Sequence, residues 1–156
     1  MKRLLSFLLI LCAVCLCGCG AKKEIKPYPN GISCDFTFTL EEISGTGSLA
    51  YSGGVLHLRL KPKGTPETEI TVDDSGVSAK FLGLAFHTDS SLSKTAVLVK
   101  ELLDAACRSY ANADKDGLYK LSAIAGDVPS DAYFTADGSL SRIEIPALEL
   151  LMEFSK

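Results

Sequence analysis

The chain predicts an α+β fold, a curved antiparallel sheet of about eight strands covered by one main helix. Three observations predict it. Apolar and polar residues alternate through 32–40 and again through 55–61, the two-residue period of a half-buried strand. The stretch 94–111 lacks glycine and proline and carries Val99, Leu102, Leu103, Ala106 and Tyr110 on one helical stripe. Turn-forming clusters, Ser52-Gly53-Gly54, Asp73-Asp74-Ser75-Gly76 and Ala136-Asp137-Gly138-Ser139, join strand-like runs at hairpin spacing.

The elements follow in order. Lys2 and Arg3 form a positive n-region, and Leu4 to Leu16 is an uncharged apolar run of 13 residues. That length suits a signal-peptide core and falls short of the roughly 20 residues a spanning helix needs. The run closes on Leu16-Cys17-Gly18-Cys19, with an aliphatic residue at −3, a small one at −1 and cysteine at +1. This pattern resembles the lipobox of bacterial lipoproteins, which implies removal of residues 1–18 and a diacylglyceryl-cysteine at Cys19. Cys15 and Cys17 fit less well, because Val14 and Leu16 would occupy the small position. Residues 19–31, with Lys22-Lys23-Glu24 and Pro27-Tyr28-Pro29-Asn30-Gly31, read as a polar, turn-rich tether. Residues 32–156 read as a single domain.

Within that domain Ile32, Cys34, Phe36, Phe38 and Leu40 alternate with polar neighbours. A strand at 47–51 turns into one at 55–61, where Leu56, Leu58 and Leu60 share a face opposite His57, Arg59 and Lys61. Runs at 67–72 and 77–82 complete a meander with one apolar and one wet face. Ser91 or Ser93 is placed to cap the helix. Strands are then expected at 118–125, 131–135, 140–145 and 147–154, the last alternating through Leu148, Leu150, Met152 and Phe154.

Removal of the leader changes the composition. Of 16 basic residues, losing Lys2 and Arg3 leaves 14 against 19 acidic ones, a net −5. That excludes nucleic acid and a polybasic grip on anionic headgroups as the binding mode. Cys12, Cys15, Cys17 and Cys19 belong to the targeting segment, so only Cys34 and Cys107 remain in the domain. Both fall on apolar faces. They are available for a disulfide in an exported protein, or pack equally well as two small thiols.

The order of elements behind a lipobox resembles the LolA/LolB/LppX-like group of lipoprotein-carrier and lipid-binding proteins. The resemblance is strongest at 132–146, Ala132-Tyr133-Phe134-Thr135-Ala136-Asp137-Gly138-Ser139-Leu140-Ser141-Arg142-Ile143-Glu144-Ile145-Pro146. It implies an open half-barrel whose concave apolar face is covered by helices and holds acyl chains. This chain offers one helix as its lid.

Local patterns that imitate catalytic or metal chemistry have plainer readings. Ser91-Leu92-Ser93-Lys94 has S-x-x-K spacing, yet Ser130-Asp131-Ala132 and Lys94-Thr95-Ala96 miss the partner motifs of serine acyl-transfer enzymes. Helix capping accounts for the serines, and no enzyme activity is expected. Asn112-Ala113-Asp114-Lys115-Asp116-Gly117 opens like an EF-hand loop, but its twelfth position is Ala123 where a bidentate Glu is required. His57 and His87 stand apart without a cysteine cluster, and Asp73 and Asp74 read as turn formers, so no metal or other cofactor is expected.

Two functions follow. In the first, Phe36, Phe38, Leu56, Leu58, Leu60 and Met152 line a cavity under the helix and hold a lipid or other hydrophobic ligand; alternatively these residues fill a closed core. In the second, the exposed Thr-rich, charged sheet face of a surface-anchored module meets an envelope protein. Both place the domain at the cell membrane, facing outside or into the periplasm.

Overall fold

The computed structural model describes residues 24–27, 31–82, 84–87, 91–114 and 116–155. Its strands are β1 (Glu24–Ile25), β2 (Ile32–Leu40), β3 (Ile43–Ser52), β4 (Val55–Pro62), β5 (Thr68–Asp73), β6 (Gly76–Phe81), β7 (Leu84–His87), β8 (Ala111–Ala113), β9 (Tyr119–Ala125), β10 (Val128–Phe134), β11 (Leu140–Ile145) and β12 (Leu150–Ser155). One helix, α1 (Ser91–Arg108), joins β7 to β8. Among the described residues all twelve strands form one sheet in the order β1-β8-β9-β10-β11-β12-β2-β3-β4-β5-β6-β7. Every pairing is antiparallel. Among the described residues the expected α+β class with a single helix is the one observed. The sheet has more strands than the total of about eight expected; β1, β7 and β8, at 2, 4 and 3 residues, add to the nine runs read from the sequence.

Two meanders meet at one seam. β2 through β7 run in sequence, β8 through β12 do the same, and β12 pairs with β2 from Leu150↔Leu40 to Ser155↔Asp35. The edges β1 and β7 do not pair with each other, so the sheet stays open. α1 packs on β4, β5 and β6 of one wing and on β9 and β10 of the other. The sheet therefore curls toward the helix from both sides.

Alternation decides which side chains face the helix. Phe36 and Phe38 of β2, Leu49 and Tyr51 of β3, Leu56, Leu58 and Leu60 of β4, and Ile143 and Ile145 of β11 point inward and are buried. Val99, Leu102, Leu103 and Ala106 of α1 meet them and are also buried. Tyr110, expected on the same stripe, lies beyond the end of α1 and is 59% exposed.

Two glycines shape the middle of the sheet. Gly47 and Gly45 of β3 stand opposite Phe36 and Phe38 in the β2–β3 register. A Cβ on Gly47 would lie 2.5 Å from the Arg59 carbonyl oxygen and 2.6 Å from Phe36 Cζ, and one on Gly45 would lie 2.8 Å from Phe38 Cε1. The aromatic rings thus lie across bare backbone, a close approach that only glycine permits. The Phe36 ring also packs against Phe38 and Phe154, with centroids 6.1 and 5.5 Å apart.

Element boundaries differ from expectation in several places: β3 begins at Ile43, α1 spans Ser91–Arg108 and β10 begins at Val128. The tether expected over 19–31 is in part folded: Glu24 and Ile25 pair with Asn112 and Ala111, Ile25 packs against the core and Pro27 is buried. The last strand begins at Leu150, because Pro146–Leu148 forms a 3₁₀ turn and Glu149 takes a left-handed backbone with φ 49°. The EF-hand-like segment is a strand connection, with Asn112 and Ala113 inside β8 and Asp114 N donating to Leu118 O at 2.8 Å. The leader 1–18 and Cys19 lie outside the described residues. No helix among the described residues is long and apolar enough to cross a membrane.

Candidate hydrophobic-ligand site

The six residues expected to line a cavity all face the helix, and they nearly close the space beneath it. Phe36, Phe38, Leu56, Leu58, Leu60 and Met152 are each 8% exposed or less. Five of them, all but Leu56, surround an apolar void of about 20 Å³ together with Leu40, Thr95, Ala96, Val99 and Leu150. A volume of that size is on the order of one water, and an apolar void stays dry. Leu56 sits elsewhere in the core, in register with Tyr51 and Val72. The rings laid over Gly45 and Gly47 occupy the space that an open chamber would need.

The larger apolar opening is at one end of the helix. A groove of about 560 Å³ is lined by Leu40, Glu41 and Ile43 at the β2–β3 turn, Lys94, Thr95, Val97 and Leu98 on α1, Gly126 and Val128 at the β9–β10 turn, and Leu148 of the 3₁₀ turn. That volume is within the range of small-molecule sites. The groove and the void share two lining residues, Leu40 and Thr95. Glu101 Oε2 accepts from Gly126 N at 2.6 Å, which holds the β9–β10 turn against the helix at this end. Alternation along β2 had placed Leu40 on the inner face. The contributions of Ile43, Val97, Val128 and Leu148 come from four separated segments, and no local period brings them together.

Toward the other end of the helix lies a polar cluster. Tyr51 Oη donates to Asp104 Oδ1, and Lys100 Nζ stands 2.9 Å from Asp104 Oδ2 and 3.7 Å from Asp74 Oδ1. Burial and the bond to Asp104 raise the Tyr51 phenol well above its ordinary range. The bond to Asp104 likewise raises Lys100. The cluster ties α1 to β3 and to the β5–β6 turn, and its charges answer one another. Cys34 and Cys107 are not joined to each other, so the disulfide that the sequence allowed is not formed. Each thiol packs against the core as a small half-buried group. Burial, with Asp35 beside it, pushes the Cys34 thiol up to about 11, which leaves it protonated and unreactive at neutral pH.

The outer sheet face is polar. His57 of β4 pairs with Thr71 Oγ1 at 3.0 Å, and Arg59 bridges Glu67 and Glu69 at 3.1 and 2.9 Å. In the segment 132–146, Arg142 stacks over the Tyr133 ring at 4.2 Å and Lys120 lies 5.5 Å from its centroid. Lys120 and Asp131 form an ion pair at 2.9 Å, and Tyr133 Oη donates to Glu144 at 3.1 Å. Ser91 opens α1, Ser93 is buried in its first turn, and Lys94 lies on the groove. No group of three or more His, Cys, Asp or Glu among the described residues is arranged to hold a metal ion. No protein-family model matches this chain, and no curated protein matches it.

Proposed function

We propose that this chain is a membrane-anchored lipoprotein, tethered through Cys19, that binds a lipid or other hydrophobic ligand in the groove at the end of α1. The observation that supports the reading is the groove itself: about 560 Å³ of space bounded by Leu40, Ile43, Val97, Leu98, Val128 and Leu148 beside an apolar core. Apolar surface left open at this size attracts apolar ligand. The resemblance of 132–146 to lipid-binding carriers points the same way. The expected site moves accordingly, from the closed core under the helix to the groove that adjoins it.

Two measurements test the two halves of the proposal. Cells expressing the full chain and fed radiolabelled palmitate should yield a labelled, membrane-pelleted product, and Cys19→Ala should abolish label and pelleting. A chain beginning at Cys19 keeps every described residue and should take up a fluorescent fatty acid saturably. Ile43→Glu with Leu148→Glu should weaken that uptake at least tenfold while the circular dichroism spectrum is unchanged. Absence of uptake in the folded parent would overturn ligand binding and leave the surface-anchored protein-interaction module.

A further inference from the structure

Resting on the hydrophobic-ligand reading, we infer that the groove selects a single-chain amphiphile with a zwitterionic head, its anionic group at Lys94 and its cationic group at Glu41. The groove has two charged lining residues, one of each sign. Glu41 comes from the β2–β3 turn and Lys94 from the first turn of α1, so they stand on different walls of the mouth. Both are exposed, and among the described residues neither takes part in an ion pair. The rest of the lining is apolar apart from Thr95 and Gly126. A purely anionic head meets Lys94 but is opposed by Glu41, and a purely cationic head meets the reverse. A head carrying both charges satisfies both walls, and discrimination among heads arises as much from the repulsion as from the attraction.

The tail follows from the inner end of the groove. There Leu40 of β2 and Thr95 of α1 line both the groove and the core void. The groove's volume of about 560 Å³ suits one long acyl chain and not two side by side.

The test displaces the fluorescent fatty acid from the chain beginning at Cys19, with every competitor kept below micelle formation. Palmitoyl lysophosphatidylcholine should compete about threefold to fivefold better than palmitate or hexadecyltrimethylammonium, the scale expected of exposed charge pairs. Glu41→Gln should remove its advantage over palmitate, and Lys94→Gln its advantage over the alkylammonium. The double exchange Glu41→Lys with Lys94→Glu should keep the zwitterion preferred. Equal competition by all three heads, with the reporter still bound saturably, overturns the head assignment and leaves the hydrophobic-ligand reading standing. Equal competition by diheptanoyl phosphatidylcholine, two-tailed and monomeric at the same concentration, overturns the single-tail assignment alone. A reporter that never binds overturns the underlying reading, and this inference with it.

Discussion

At the scale of single residues, the sheet depends on positions where something small or polar is required. Gly47 is one, since a methyl group there meets the backbone oxygen of Arg59, which cannot rotate aside. Gly47→Ala is expected to destabilise the domain by about 1–3 kcal/mol, the usual cost of forcing extra volume into a packed interior, seen as a lower urea midpoint with unchanged slope. Tyr51 is another. Removing its hydroxyl leaves Asp104 to Lys100 alone, and Tyr51→Phe should cost about 2 kcal/mol at neutral pH, as for other hydrogen bonds to charged groups. The same cluster sets the alkaline limit. An unfolded chain releases the phenol proton near 10.0 and the lysine proton near 10.5, whereas the fold holds both to higher pH. The unfolded state thus binds fewer protons, and stability that is full below about pH 10 declines as pH rises through the folded values. Thermal melts between pH 9 and 11 should show that decline, and it should be shallower in Tyr51→Phe.

At the scale of elements, the helix shows how far a periodic pattern carries. Its buried stripe ends at Ala106, and the chain leaves the helix after Arg108, so Tyr110 faces solvent although it continues the spacing. Leu102→Ala removes a side chain that is fully buried and should cost about 2–5 kcal/mol, while Tyr110→Ala should lie within about 0.5 kcal/mol of the parent; chemical denaturation separates the two. The strands that the alternation reveals, from 32–40 to 140–145, are those with one wet and one apolar face. β1, β7 and β8 escape because two to four residues complete no period, and their pairing is fixed by neighbours distant in sequence. Glu24 and Ile25 become a strand only because β8 offers its edge.

At the scale of the molecule, an N-terminal strand on one edge and a seam between β2 and β12 join two meanders into a single sheet. The domain therefore starts before Ile32. A chain shortened to begin at Gly31 should lose about 2 kcal/mol relative to one beginning at Cys19, the burial of roughly one large apolar side chain, measured as the difference between their denaturation curves. The tether proposed between Cys19 and the folded domain is correspondingly short. Glu24 already lies in the sheet, so about four residues, at roughly 3.3 Å each, connect the proposed anchor to the fold.

The amino-acid sequence by itself determined the α+β class, the single helix among the described residues, most strands and the inward set of Phe36, Phe38, Leu56, Leu58, Leu60 and Met152, because local period reports which face of an element is apolar. The resemblance to a lipobox, with the expectation of lipid at Cys19, likewise comes from the sequence. The tertiary structure decided what those inward residues enclose. Whether Phe36 and Phe38 line a chamber or fill it depends on Gly47 and Gly45 across the strand pair and on where the helix comes to rest. The groove was beyond local pattern for the same reason: its walls come from turns and a helix that meet only when the sheet curls. Alternation distinguishes inside from outside, but the volume left between two packed surfaces depends on their separation, which only the folded chain fixes.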